Sequence, residues 1–327
     1  MNSSNSYKNL YTRRAFTLGC LAGAAAASAQ VPARPLRIVV PTPAGGGSDI
    51  MTRVIAQQMS LQLGQPVVVE NRAGVDGVIG ADYVARSAPD GTTLVLGSNG
   101  PMVVLPMLRG RPTVPYDPFK DFTPIGLVGR FKMVMMIGPG VPAKTLAEFV
   151  QLARNKPDGM NYASGNTIAR AATLQLMAQT KISMVHVPYK GESAGVLDLM
   201  ADRVQVMVST VGASRPYLVD KKVNPLFVLG DQRSPLLPDV PSAREAGLRI
   251  TVQPWAGFFG PAGVPAPVVE RINQALRAAM ATPEVREQAE RLGVELAPAT
   301  PAELGAVHRD EHELFRKLVQ EDGVRFE

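Results

Sequence analysis

Cysteine and histidine are scarce in this sequence. One of its 327 residues is cysteine and three are histidine, and aromatic residues make up 6%. The cysteine, Cys20, lies within the first 29 residues, so thiol chemistry and a disulfide framework are excluded for residues 30–327.

Long apolar runs are also missing. The run 15–27 is far shorter than the roughly 20 residues that span a bilayer. It overlaps a twin-arginine motif at 12–18 and ends in small residues at 27–29, so residues 1–29 are predicted to be a Tat-type signal peptide of a periplasmic protein. Acylation of Cys20 as a lipoprotein is disfavoured, because Leu18 is bulky where a small residue is usual.

Motifs for hydrolysis are absent or incomplete. Neither a G-x-S-x-G elbow nor a G-x-x-x-x-G-K-[ST] loop occurs. Residues 308–312 match the H-x-x-E-H pattern of zinc peptidases, but the segment 303–321 is charged on most turns, so a solvated terminal helix is favoured over a metal site. His186 lies between two valines and is expected to be a packed or edge residue of a strand. No catalytic residue, cofactor or metal is predicted.

The charge excess is small. The formal net charge is +6, and removal of residues 1–29 takes away three basic and no acidic side chains, which leaves +3. No block of lysine and arginine is present, so a nucleic-acid partner is not expected. The remaining chain is long enough for two domains.

The first part of the sequence alternates strand and helix patterns. Short β-branched runs predict strands at 36–40, 67–70 and 92–96, and apolar periodicity predicts helices at 50–63 and 77–87. Glycine-rich turn residues at 41–49 follow the first strand. This order is typical of βαβ units on a parallel sheet.

The second part repeats this order. Strands are predicted at 160–163, 184–189 and 204–208, with a helix at 168–179 after the first of them. A Gly-Pro segment at 137–142 is echoed at 259–265, each time before a predicted helix. We therefore predict an α/β protein of two lobes, each a mainly parallel sheet flanked by helices. Lobe I comprises residues 30–130 and 254–327, and lobe II comprises residues 131–253.

Capping boxes predict three further helix starts. Thr145, Ser242 and Thr300 are each followed three residues later by glutamate.

The loops after the strands are the expected binding site. Ligands of open parallel sheets bind beyond the carboxyl ends of the strands, and glycine loops at helix N-termini suit anions. In the first lobe these positions are Ala44, Gly45, Gly46, Ser48, Ser98 and Asn99, and in the second they are Ser164, Asn166, Thr167 and Ser209. Lys190 could add a cation. Asp49 beside an anion site would repel the ligand, so it is interpreted as a brace of the loop.

Five blocks in order resemble the Bug or TctC-like periplasmic receptors of tripartite tricarboxylate transport systems. They are residues 41–49, 69–74, 188–191, 233–241 and 255–265. The resemblance implies a type II periplasmic binding fold, a Venus flytrap that closes on a small carboxylate. It also implies that Gly45, Gly46 and Ser48 of the first loop, and Ser164, Asn166 and Thr167 of the second, hold that carboxylate.

Two departures from the family pattern concern the ligand. Ala44 stands where proline is frequent, and the segment 209–212 stands where many members carry an acidic or amide residue. The resemblance implies a monomer that presents its ligand to a membrane permease.

Two other functions stay open from the sequence. A receptor that acts as a sensor without transport needs the same cleft. A dinucleotide-dependent oxidoreductase would explain the glycine loop and Glu70, but the G-x-G-x-x-G pattern fails at Ile50.

Overall fold

The computed structural model describes residues 34–109, 114–156 and 159–320. The predicted signal peptide at 1–29 lies outside them. Among the described residues, no helix is both long and apolar enough to cross a membrane.

Strands and helices alternate along most of the described chain. The strands are β1 (Leu36–Val40), β2 (Val67–Asn71), β3 (Thr93–Ser98), β4 (Phe122–Phe131), β5 (Met133–Ile137), β6 (Asn161–Ser164), β7 (Val185–Pro188), β8 (Val206–Thr210), β9 (Asn224–Val228), β10 (Trp255–Pro261) and β11 (Val294–Leu296). The α-helices are α1 (Gly47–Leu63), α2 (Val78–Ala85), α3 (Leu105–Arg109), α4 (Leu146–Arg154), α5 (Thr167–Thr180), α6 (Glu192–Met200), α7 (Val211–Val219), α8 (Ala266–Met280), α9 (Pro283–Leu292) and α10 (Pro301–Gln320). A 3₁₀ turn at Val75–Gly77 and a π-helical turn at Gly100–Val104 complete the list.

The strands form two sheets of similar design. Their orders are β11-β4-β10-β3-β1-β2 and β7-β6-β8-β5-β9. In each sheet three parallel strands, β3-β1-β2 or β8-β6-β7, adjoin an antiparallel strand, β10 or β5. The two halves are thus built alike, as the sequence repeat predicts.

Most strands of each sheet run in one direction, as predicted, and each sheet also contains antiparallel strands. In the first sheet β10 is antiparallel to both β3 and β4, and in the second β5 is antiparallel to both β8 and β9. Strand β5 is the first strand that the chain forms after it leaves the first sheet, and β10 is the first that it forms after it leaves the second. A strand that comes from another sheet is free of the right-handed crossover that makes βαβ neighbours parallel.

The chain passes between the sheets at two adjacent points. A single residue, Lys132, separates β4 from β5, and Pro254 precedes β10 on the return. The N–H of Phe131 donates to the carbonyl of Pro254 over 2.9 Å, so the two crossings are hydrogen-bonded to each other. Lys132 is buried at 8% exposure and forms an ion pair with Glu295 at 3.2 Å.

One predicted helix start is wrong. Ser242 and Glu245 form both hydrogen bonds of a capping box, with N···O distances of 2.7 and 3.2 Å. The segment that follows forms turns, because Gly247 takes the left-handed backbone conformation with φ +79° and ends the helical path. The boxes at Thr145 and Thr300 do begin helices α4 and α10.

Helix α10 packs more deeply than its charge pattern predicts. His308 is 3% exposed, and its Nε2–H donates to the carbonyl of Met102 at 2.8 Å. Its ring stacks on Phe119 with centroids 4.4 Å apart, and His312 meets the same ring edge-on. Among the described residues, no group of three or more potential ligands is placed to hold a metal. The H-x-x-E-H residues are packing residues here.

Burial of His308 generates a pH dependence of stability. Burial is the main cause that lowers its pKa from 6.5 to about 4, so the unfolded state takes up a proton first as the pH falls. The contribution is complete above the ordinary pKa and is lost as the pH falls from 6.5 to about 4. We expect His308 to cost about 2 kcal/mol of unfolding free energy between roughly pH 7 and pH 5.

Urea unfolding at the two pH values measures this loss. His308→Gln keeps an amide donor for Met102 but does not titrate, so its loss over the same interval should be smaller by about 2 kcal/mol. Equal pH dependence of the two proteins would show that His308 is not responsible.

Candidate interlobe binding site

The N-terminus of α1 is an open set of donors. Residues 44–47 are exposed, and no side chain in the described part of the chain caps the helix at Gly46. The first N–H groups of a helix have no partner within it, and they carry partial positive charge. Ala44, Gly45 and Gly46 therefore form an exposed loop that leads into uncapped N–H groups, and half-buried Ser48 lies in the first turn. This geometry suits an anion.

Asp49 braces this loop from beneath. Its side chain is 2% exposed and accepts hydrogen bonds from the Gly45 N–H at 2.9 Å, from Arg53 Nε at 3.0 Å and from Asn71 Nδ2 at 2.9 Å. Burial by itself raises the pKa of Asp49, but these bonds outweigh it and hold the pKa below its ordinary value. The carboxylate is thus occupied within the protein, which fits its interpretation as a brace.

Asn99 is engaged with protein groups on every side. It is 1% exposed, its Oδ1 accepts from the N–H of Trp255 at 2.9 Å, and its Nδ2 donates to Glu311 at 3.2 Å and to the carbonyl of Gln253 at 3.4 Å. It joins β3 to the return crossing and to α10. Ser98, the residue before it, is half-buried at the end of β3.

A strained turn carries Asp76 toward the second sheet. Val75 and Asp76 have φ values of 47° and 50°, in the left-handed region that a β-branched residue such as valine rarely adopts. The Asp76 carboxylate accepts a hydrogen bond from the hydroxyl of Thr167, the first residue of α5. The two halves of the molecule therefore touch at the start of α5.

A second contact between the halves lies at the start of α7. Gly212 packs against the backbone of Leu292 so closely that a Cβ would collide with it. The side chain of Leu292 also approaches Gly47, where α1 begins. The N-termini of α1 and α7 thus meet at the same residue of α9.

Asn166 and Ser209 are held by one carboxylate that the sequence prediction missed. Asn166 caps α5 by accepting from the Ala169 N–H at 2.8 Å, and its Nδ2 donates to Glu192 at 3.0 Å. The same Glu192 accepts from Ser209 Oγ at 3.0 Å and from the hydroxyl of Thr210 at 2.7 Å.

Ser164 lies deeper and has a different partner. It is 6% exposed, and its hydroxyl is 2.7 Å from Nε2 of His186, whose ring stacks on Tyr162. Burial, with a contribution from Arg170, lowers the pKa of His186 to about 4. His186 is therefore neutral at pH 7.

The predicted residues thus fall into three groups. Ala44, Gly45, Gly46 and Ser48 form the open helix start. Asn166, Thr167 and Ser209 lie together around Glu192 and Asp76. Of the others, Asn99 and Ser164 are bonded to different protein groups, Ser98 is half-buried and Lys190 is exposed.

Glu192 and Asp76 left only weak signals in the sequence. Glu192 follows Lys190-Gly191 at a predicted loop, and Asp76 lies between two glycines of a turn. From the sequence alone, each of these two carboxylates would be interpreted as a solvated loop residue.

Comparisons with known proteins agree with this architecture. A protein of the UPF0065 group from the tcbD-tcbE intergenic region of Pseudomonas sp. strain P51 is 38% identical over 295 residues, which covers 89% of this chain and 87% of that protein. The solved structure of the periplasmic binding protein BugD is 31% identical with a TM-score of 0.81, and covers 90% of this chain and 99% of its own. MatC of Rhodopseudomonas palustris, solved with bound malate, is 32% identical with a TM-score of 0.80, and covers 88% of this chain and all of its own.

These similarities confirm the predicted two-lobed α/β fold and the resemblance to the Bug and TctC-like receptors. They also place the chain among receptors rather than enzymes, since the matching family is one of receptors and BugD is a periplasmic binding protein. The pattern of the family described as "Tripartite tricarboxylate transporter family receptor" matches residues 51–324. The chain therefore belongs to the TctC family, the receptors of the tripartite tricarboxylate transporters.

Proposed function

We propose that this receptor is exported to the periplasm, binds a small carboxylate between its two sheets and presents it to a membrane transporter. Lobe I, residues 30–130 and 254–327, supplies the start of α1, and lobe II, residues 131–253, supplies the start of α5. The crossings beside Lys132 and Pro254 act as the hinge.

The observation that carries this proposal is the uncapped start of α1. Helix α1 is 17 residues long and begins there after an exposed loop; no side chain of the described residues caps it, and its first N–H groups have no intrahelical acceptor. A carboxylate with two oxygens matches such a group of donors in charge and in hydrogen bonding. Asp49, which would repel it, is occupied below the loop.

Lobe II offers the opposing surface. Thr167 lies at the interlobe contact with Asp76, and the first N–H groups of α5 carry the partial positive charge of a helix start. Asn99 and Ser164 are left out of the proposed ligand contacts because protein groups occupy their polar atoms. The malate bound by the similar MatC supports a carboxylate as the class of ligand.

A thermal-shift panel of organic acids tests this function. Stabilisation by a bound ligand follows RT ln(1 + [L]/Kd), so an acid at about 100 times its Kd should add roughly 2.7 kcal/mol. We expect at least one carboxylate to raise the melting temperature and NAD to leave it unchanged. A shift with NAD and none with any acid would contradict the proposal.

Ser48→Leu tests the site itself. The leucine side chain crowds the first turn of α1, so the affinity for the stabilising acid should fall by about tenfold or more, which corresponds to about 1.4 kcal/mol. Gln62→Leu places the same side chain on an exposed position in the last turn of the same helix and should leave the affinity unchanged. Equal loss in both variants would remove the start of α1 from the site.

Small-angle scattering tests the hinge. Because only the closed state brings both helix starts to the ligand, the ligand favours closure, and the radius of gyration should decrease when the acid found in the panel is added. An unchanged radius at saturation would contradict a hinge at Lys132 and Pro254.

Export through the twin-arginine route predicts a simple fractionation result. Changing Arg13 and Arg14 to lysine removes the paired guanidinium groups of the signal, so the full-length chain should remain in the cytoplasm uncleaved. Periplasmic recovery equal to that of the unaltered chain would contradict this route.

A further inference from the structure

Glu192 is the first residue of α6, directly after the loop that follows β7. Its Oε1 accepts from Asn166 Nδ2 at 3.0 Å. Its Oε2 accepts from Ser209 Oγ at 3.0 Å, and from both the hydroxyl and the N–H of Thr210 at 2.7 and 3.2 Å. These four donors come from two separate segments, the start of α5 and the end of β8.

These four donors fix the position of the Glu192 carboxylate. The amide of Asn166 and the hydroxyls of Ser209 and Thr210 are side-chain donors with which lobe II could bind an anion, and each of them already donates to a carboxylate of the protein. A second anion at this place would meet a fixed negative charge.

Glu192 is half-buried, and the residues that hold it adjoin the contacts between the lobes. Asn166 is followed by Thr167, which bonds to Asp76, and Thr210 is followed by the start of α7, which packs on Leu292. The residues that hold Glu192 are therefore next in sequence to both contacts between the lobes. The proposed cleft then has unlike ends, with uncapped N–H groups at α1 and a carboxylate at Glu192.

We infer that Glu192 determines the class of ligand that this receptor binds. The ligand carries one carboxylate, which binds at the start of α1, and its opposite end is uncharged or carries a cationic donor such as an ammonium group. Dicarboxylates and tricarboxylates are discriminated against by repulsion from Glu192. This inference rests on the proposed function.

A purely structural role for Glu192 predicts a different result. If the carboxylate only orders Asn166 and Thr210, its removal weakens all ligands alike. If it selects the ligand, its removal changes the ratio between ligands that differ at one end only. The ratio is therefore the quantity to measure.

Titration calorimetry with matched acids provides that ratio. Each set has one carbon skeleton with different ends: butanoate, 4-aminobutanoate and succinate; hexanoate, 6-aminohexanoate and adipate; benzoate and terephthalate. For every set that binds, we expect the wild-type protein to prefer the monocarboxylate or amino acid over the diacid by about tenfold or more, since like charges at close range repel strongly in a cleft.

Glu192→Gln removes the charge and keeps the size of the side chain. We expect it to reduce this preference by about fivefold or more, mainly through tighter binding of the diacid. Glu245→Gln is the matched control in lobe II, because Glu245 caps a turn and pairs with Arg233 on the surface. It should leave the preference unchanged.

The outcomes separate this inference from the function on which it rests. Diacids that bind the wild-type protein as tightly as their monocarboxylate partners overturn the inference and leave the receptor function intact. An equal change for all ligands in Glu192→Gln reduces Glu192 to a structural role. Binding of no acid in any set, together with no stabilising carboxylate in the thermal-shift panel, refutes the carboxylate receptor itself. The wild-type preference decides the question even if the variant does not fold.

Discussion

Two adjacent chain crossings fix the position of one sheet relative to the other. The hydrogen bond from Phe131 to the carbonyl of Pro254 ties the outgoing crossing to the returning one, and the buried Lys132 fixes the outgoing one through its ion pair with Glu295. Because both crossings lie side by side, the two halves contact each other at the carboxyl ends of their parallel strands, at Asp76 with Thr167 and at Leu292 with Gly212. A region between two sets of helix starts follows from this arrangement.

The polar groups of this region are arranged unevenly. Asp49 points beneath the loop before α1 and accepts bonds there, which leaves the N–H groups of that helix uncapped. At α5 the opposite holds, because Asn166 caps the helix and is in turn held by Glu192. Equivalent loops in a repeated architecture thus present a positive helix end on one side and a satisfied carboxylate on the other. The repeat preserves backbone geometry, while side chains decide the chemistry.

The ends of helices and strands were predicted well where they depend on residues close together in the sequence. Strand β1 begins and ends where its β-branched run does, and the boxes at Thr145 and Thr300 begin helices as expected, since a cap depends only on residues three apart. Ser242 shows the limit of the same rule. Its capping box forms, yet Gly247 and the β-branched residues after it end the helical path within a turn. The antiparallel direction of β5 and β10 could not be read either, because strand direction depends on which sheet the chain has just left.

The candidate site also has one part that the sequence predicts and another that it does not. The glycine loop before α1 was predictable, because turn residues between a strand and a helix leave donors exposed whatever the remaining fold. By itself the sequence determined the order of elements, the repeat and the glycine loop at this one helix start. Only the tertiary structure decided that Asn99 joins β3 to α10 and that Glu192 takes the donors of Asn166 and Ser209. These partners lie between 17 and 212 residues apart in sequence, so no local pattern records which of them meet.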